Sequence, residues 1–210
     1  LALVFCLRDV GTQRDVERAL FERADDDPAE RPRFRASLRE AMKRRPAEHY
    51  FPLLGAMAAF RWKDQSPMPW LQHTLERAPV NGRAHALLAS VLMARGARKQ
   101  ALLELRLAVE HEPGLAEKVA PQTISLARSF EELMSVVPEG QPGAMVLNTR
   151  ARQLQKPEQA VMQRQVDTEA VNRDPKLIEP RARLLAGMFA SLALLTQGKE
   201  AGVACATIAA

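Results

Sequence analysis

The sequence predicts an all-α protein built from repeated pairs of helices, and three observations lead to this prediction. Ala, Leu, Arg, Glu and Gln are abundant in the chain, and these residues favour helices. Runs of β-branched residues bounded by Gly or Asn turns, which would indicate strands, are almost absent. The phrases that close at Pro79 and at Pro113 are similar, which indicates an internal repeat.

Composition permits a sizeable core and argues against nucleic-acid binding. The chain has 210 residues, of which 47% are hydrophobic, enough for one domain or a short solenoid. The net charge is +5 and the pI is about 9.6. Basic and acidic residues nevertheless alternate through residues 14–40, which is typical of solvated helix faces. Because no basic stripe with interleaved aromatics is present, we expect no nucleic-acid partner.

The N-terminal part divides into two predicted segments. Residues 1–10 begin with seven apolar residues, too few to span a bilayer, which needs about 20. They fit either a short buried helix or the end of a truncated transmembrane helix. Residues 11–46 are predicted to form two amphipathic helices, a degenerate helical hairpin that precedes the clearer repeats.

Residues 47–113 are predicted to form two helix hairpins, 48–79 and 82–113, in 34-residue register. Shifting the chain by 34 places Leu54 on Leu88, Gly55 on Ala89, and Leu71 on Leu105. Small Ala89 allows the second helix to approach the first. Gly96 suits a left-handed helix end, and Pro113 cannot continue a helix and moves the preceding residue out of the α region.

These positions resemble the tetratricopeptide repeat, whose unit of two antiparallel helices stacks into a right-handed α-solenoid. The resemblance is closest over 82–113, looser over 48–79, and implies a protein–protein interaction scaffold without catalytic activity. The residues that match the repeat are Leu54, Gly55, Leu71, Pro79, Leu88, Ala89, Gly96, Ala101, Leu105, Ala108 and Pro113.

The register breaks after Pro113. We expect residues 114–141 to hold two short helices, the second capped by Ser129, followed by a loop from Pro138 to Gly143 that is rich in Pro and Gly. Residues 142–210 are predicted to form further hairpins. The first spans 142–175, and a final pair includes an apolar helix at 182–195. The uncharged stretch 184–197 is too short to cross a bilayer.

No motif for catalysis, cofactor binding or metal binding is present, so we predict none of these functions. His49, His73, His85 and His111 stand in no metal-binding spacing, and His85 occupies a packing position of the repeat. Cys6 and Cys205 are far apart in the sequence and stand in apolar surroundings, which favours two buried thiols. The alternative is a disulfide between them. We expect Trp70 to pack at the end of its hairpin. Trp62 fits either packing of this kind or a role as an exposed anchor for a partner.

The repeat resemblance also implies a concave groove lined by the first helix of each hairpin. The matching positions are His49, Pro52, Ala56, Ala59, Phe60, Arg83, Ala86, Ser90, Met93 and Ala94. Of these, His49, Phe60, Arg83, Ser90 and Met93 are the candidate partner-binding residues. The lining is small and apolar with few charges, which favours an apolar helix or extended peptide over an acidic tail.

A narrower resemblance leaves two functions open. The phrases from Pro46 to Leu54, 70–79 and 85–96 are similar to C-terminal repeat regions of bacterial O-antigen ligase/polymerase-like membrane proteins. That resemblance implies a non-catalytic extramembrane region on the cytoplasmic or periplasmic face of the inner membrane, joined to the membrane through a preceding segment. The first function is a scaffold for a protein or peptide partner, and the second is this extramembrane region.

Overall fold

The computed structural model describes residues 2–154 and 160–178, with side chains for 9–154 and 161–178. All regular structure in these residues is helical, which confirms the predicted all-α class. The α-helices are α1 (Ala2–Asp26), α2 (Arg31–Arg44), α3 (Tyr50–Trp62), α4 (Met68–Arg77), α5 (Gly82–Ala94), α6 (Arg98–His111), α7 (Ala116–Leu126), α8 (Phe130–Val136), α9 (Gly140–Gln153) and α10 (Ala160–Arg173).

The chain divides into two compact units, Leu1–Pro138 and Glu139–Ala210. The first contains α1 to α8. In the second, α9 and α10 pack on each other: Arg150 Nη2 lies 3.9 Å from the Met162 sulfur, and Arg173 Nη2 lies 3.5 Å from Glu139 Oε1. The start of α9 is therefore next to the end of α10, so this pair is antiparallel.

Helices α1 and α2 form the first antiparallel pair. Contacts run from the open end to the turn: Gln13 meets Arg45 at 2.9 Å, and Glu17 meets Ser37 at 2.8 Å. The rings of Phe21 and Phe34 follow, 5.8 Å apart next to the turn. The apolar segment 1–10 and the first predicted helix of 11–46 are one continuous helix from Ala2.

Helices α3 and α4 form the second pair, and α5 and α6 the third. In the third pair, Arg83 at the start of α5 lies 3.2 Å from Glu112 just after α6. In the second, Arg77 at the end of α4 donates to the carbonyl of Pro46, which precedes α3. Both pairs are therefore antiparallel, at the positions predicted from the 34-residue register.

An X-Pro turn recurs where one pair gives way to the next. At Arg45, Ala78 and Glu112 the backbone leaves the helix with φ between −141° and −135° and ψ between 70° and 83°. Each residue precedes a proline, which disfavours the α conformation there, as predicted for Pro113. The carbonyls of these residues accept from the N–H groups of Glu48, Asn81 and Leu115 at 2.9–3.1 Å. The chain therefore makes the same turn from each helix pair to the next.

The other turns use local caps. Gly96 has φ +76°, the left-handed conformation predicted for it, and the Ala97 N–H donates to the Leu92 carbonyl at 2.9 Å. Asn81 caps α5 by accepting from the Ala84 N–H at 3.0 Å. Ser129 caps α8 in the same way at 3.1 Å to Glu132, as predicted.

Buried side chains on the second helices recur from one pair to the next. Leu38, Leu71 and Leu105 occupy equivalent places in α2, α4 and α6, and each is almost completely buried. Small side chains do the same one turn later, at Ala41, Thr74 and Ala108. The same two positions therefore contribute to the core in all three pairs. Burial of apolar side chains is the main stabilising term in folding.

Polar contacts also link the pairs at the repeat spacing. Arg14 in α1 forms an ion pair with Glu48, just before α3, at 2.7 Å, and the two residues are 34 apart. Arg98 in α6 forms an ion pair with Glu132 in α8 at 2.6 Å, and these two are also 34 apart. The start of α3 therefore lies beside the middle of α1, and the start of α8 lies beside the start of α6.

One predicted feature differs from the structure. The Pro/Gly segment from Pro138 to Gly143, predicted as a loop, is helical from Gly140, with Pro142 in the first turn of α9. A proline is tolerated there because the first N–H groups of a helix have no intrahelical acceptor. The apolar segment 182–195, Cys205 and the side chain of Cys6 were also subjects of prediction, and they lie outside the described residues.

Candidate functional site

Helix α3 is mostly buried but carries two exposed apolar side chains on one face. Phe51, Leu54 and Ala58 join the core shared with α1 and α2. Leu53 and Ala56 join a second core that contains residues of α4 and α5. The remaining face holds Met57 and Phe60, which are 43% and 38% exposed, together with the exposed Arg61, whose guanidinium is paired to Asp25 at 2.7 Å. Three residues apart, Met57 and Phe60 lie on one face of the helix.

The predicted groove positions therefore divide into two groups. Pro52, Ala56 and Ala59 are buried, so they belong to the core and line no open surface, which corrects the sequence-based lining. The reason is that α3 is covered by neighbouring helices on two sides, which one hairpin considered alone does not reveal. His49 is half-buried immediately before α3, with Nδ1 3.6 Å from Glu48 Oε1. Phe60 remains exposed.

The predicted positions on α5 keep partial or full exposure. Arg83 is exposed, with its guanidinium paired to Glu112. Ser90 and Met93 are half-buried, and Ala94 is exposed. The Ser90 hydroxyl donates to the Ala86 carbonyl at 3.1 Å, so its donor is already used within the helix. This face of α5 therefore offers small and apolar contacts more than hydrogen bonds.

Both tryptophans are half-buried and pack against the helix cores. Trp62 stacks on Phe21 at 5.8 Å and meets Phe34 edge-on at 5.5 Å, while its Nε1 donates to Asp25 at 3.1 Å. The guanidinium of Arg31 lies 4.8 Å from its ring centroid, a cation–π contact. Trp70 lies against Gly55, whose missing side chain makes room for the indole. Neither residue is therefore available as an exposed partner anchor.

His85 is a structural residue with an unusual hydrogen-bond pattern. Its Nδ1 lies 2.6 Å from Glu104 Oε2 and its Nε2 lies 2.8 Å from the Pro79 carbonyl oxygen. Both partners are acceptors, so the doubly protonated ring satisfies them best. The hydrogen bond to Glu104 raises the pKa of His85, against the lowering effect of burial. The ring of His111 lies 5.4 Å away.

Charged groups between α1 and its neighbours are also structural. Glu17 is 2% exposed, and burial raises the pKa of its carboxyl, although a hydrogen bond from Ser37 opposes this. Burial acts to raise the pKa of the Glu48 carboxyl as well. Hydrogen bonds from the Tyr50 N–H and from Arg14 outweigh this effect, so the pKa of Glu48 is lowered. Both carboxyl groups join helices and face no substrate cavity.

A groove of about 540 Å³ lies between α1 and α2, and the sequence reasoning did not identify it. Its lining residues are Thr12, Asp15, Val16, Ala19, Leu20, Arg23, Arg33 and Ser37. On α1 these positions recur at helical spacing along one stripe. That spacing was available in the sequence, but the mixed charges around it favoured a solvated face. We name this feature the α1–α2 groove.

Among the described residues, no group of three or more His, Cys, Asp or Glu side chains is arranged to hold a metal ion. Within the same part of the chain, no helix is long and apolar enough to cross a bilayer. Comparison with protein-family models, curated proteins and solved structures found no match.

Proposed function

We propose that this chain is a tetratricopeptide-type scaffold in which the helix pairs stack as a right-handed α-solenoid. The support comes from features that repeat together. The buried leucines, the buried small residues and the X-Pro turns each recur once in every one of the first three helix pairs. A single helix pair cannot bury its apolar face alone, whereas stacked neighbours do so continuously.

The function we infer is capture of an apolar helix or extended peptide on the first-helix faces of α3 and α5. The observation that carries this inference is the exposed apolar pair Met57 and Phe60 on a helix whose other apolar side chains are buried or half-buried. Met side chains adapt to varied apolar surfaces, and aromatic side chains are frequent binding hot spots. We infer that Met93 and Ser90 on α5 belong to the same surface, with His49 and Arg83 at equivalent positions near the starts of α3 and α5.

The proposal can be tested by selecting a displayed library of amphipathic helical peptides against the full chain. Selected peptides are then titrated against the Phe60→Glu and Met93→Glu variants. A charge placed in an apolar contact is left without a partner on binding, so we expect affinity to fall at least about tenfold.

Leu103→Glu is the matched control, because Leu103 is 54% exposed on α6, a second helix of the repeat. This variant is expected to bind like the wild type. If Leu103→Glu weakens binding as much as Phe60→Glu does, the peptide does not use the first-helix faces. Unchanged circular dichroism in all three variants shows that the fold is intact.

A second proposal is that the chain is the non-catalytic extramembrane region of an O-antigen ligase/polymerase-like membrane protein. It is supported by the phrase-level resemblance and by the continuous course of α1, which carries the apolar N-terminal run directly into the first helix pair. The gene sequence upstream of Leu1 tests this proposal. A series of hydrophobic spans would support it, while a polar repeat or an initiating Met would remove it.

A further inference from the structure

The α1–α2 groove is a second candidate interaction surface, separate from the exposed apolar side chains of α3. Its apolar floor includes Val16, which is 51% exposed, together with Ala19 and Leu20. Arg33 and Ser37 of α2 form the opposite wall. An exposed apolar strip framed by charges is typical of a protein–protein contact.

The charges along the groove follow a simple order. Asp15 and Arg23 are both exposed and are separated by two turns of helix, about 12 Å along the axis. Neither forms an ion pair within the described part of the chain. Arg33 lies at the same end as Arg23, since α2 begins where α1 ends, and its guanidinium is paired with Glu30 at 3.4 Å. One end of the groove is therefore acidic and the other is basic.

Ala19 lies midway between Asp15 and Arg23 in the sequence. A second α1 helix placed antiparallel across Ala19 would bring its own Asp15 to Arg23 and its own Arg23 to Asp15. The small side chain at the crossing point allows the two helices to approach closely. The pattern is therefore complementary to itself, which a two-fold contact between identical chains requires.

We propose that two copies of this chain associate through their α1–α2 grooves, with the two α1 helices antiparallel. Val16 and Leu20 of each copy pack against the other, and two Asp15–Arg23 ion pairs form, one on each side of the axis. Because the groove is short and its rim charges remain solvated, the association is reversible and concentration-dependent.

Sedimentation velocity of the full chain over a wide concentration range tests this proposal. We expect a monomer–dimer equilibrium that weakens with added salt. Arg23→Glu places Glu against Asp15 twice per dimer, and Asp15→Arg places Arg against Arg23 twice. Each variant alone is expected to dimerise at least about tenfold more weakly, because like charges face each other. An equimolar mixture of the two is expected to form a heterodimer, since opposite charges then meet at both positions.

Arg18→Glu is the matched control, because it makes the same charge change on α1 outside the groove lining. This variant is expected to dimerise like the wild type. The proposal is overturned if the wild type stays monomeric up to several hundred micromolar. It is also overturned if Arg23→Glu dimerises as strongly as Arg18→Glu, or if mixing the two reversed variants restores no dimer.

Discussion

The close approach of α3 and α4 at Gly55 makes a sharp prediction about packing. A Cβ atom built on Gly55 would lie 2.7 Å from Cδ2 and from Cζ3 of Trp70, and closer still to Cε3. The backbone of Gly55 is helical, so alanine is compatible with its conformation. Replacement of Gly55 by Ala therefore tests steric overlap against helix propensity at one position.

Two opposing terms determine the expected change in the free energy of unfolding. Alanine favours the helix over glycine by about 0.5–1 kcal/mol. Over-packing a well-filled contact costs about 1–3 kcal/mol, because the indole must shift away. We therefore expect Gly55→Ala to destabilise the protein by about 0.5–2 kcal/mol, with the overlap outweighing the gain in propensity.

The same substitution should change sign when the indole is absent. In a Trp70→Ala background the overlapping ring atoms are gone, so Gly55→Ala is expected to stabilise by about 0.5–1 kcal/mol. Gly11→Ala is the control in the wild-type background, because Gly11 is also helical and has no atom within 4 Å of a built Cβ. It should likewise stabilise the protein.

Urea unfolding followed by far-UV circular dichroism measures all four proteins and the wild type on one scale. The double-mutant cycle gives the coupling between residues 55 and 70 directly. If Gly55→Ala stabilises the wild-type protein as much as Gly11→Ala does, the indole does not lie against Gly55 and the described packing of α3 on α4 is incorrect.

Three further predictions concern the third helix pair. The stability advantage of the wild type over His85→Gln, measured by urea unfolding at several pH values, should be full below about pH 6.5, the ordinary pKa of His. It should be lost as pH rises through the raised pKa of folded His85, because the charged ring is what Glu104 stabilises; a pH-independent difference would contradict this. Asn81→Ala removes the cap on the Ala84 N–H and should cost about 1 kcal/mol in the same assay, with Asn81→Ser restoring most of it. Leu105→Ala should cost about 2–5 kcal/mol by calorimetry, because the side chain is almost completely buried; a loss below about 1 kcal/mol would indicate an exposed position.

Much of the local structure was predictable because its causes are local. Each of the first three helix pairs ends just before a proline. A proline restricts the backbone conformation of the preceding residue whatever the surroundings are. Gly96 adopts its left-handed conformation because glycine lacks the Cβ that opposes it. The Ser129 cap depends only on residues within one turn. These signals placed α5, α6 and α8 from the sequence.

The candidate binding surface was predictable only in part. Phe60 remains exposed, as expected for a groove residue, whereas Ala56 and Ala59 are buried. Periodicity shows which residues share a helix face, but not how many neighbouring helices cover that helix. Trp62 illustrates the same limit, since its aromatic and arginine neighbours come from α1 and α2, the preceding helix pair.

The sequence by itself determined the helical class, the 34-residue repeat spacing and the ends of several helices. These follow from propensity, from glycine and proline, and from capping side chains, all of which act within a few residues. Only the tertiary structure decided which apolar residues became core, that Trp70 lies against Gly55, and that α1 and α2 leave a groove with charges of opposite sign at its ends. Those outcomes depend on contacts between segments distant in the sequence, where burial and the approach of whole helices decide the result.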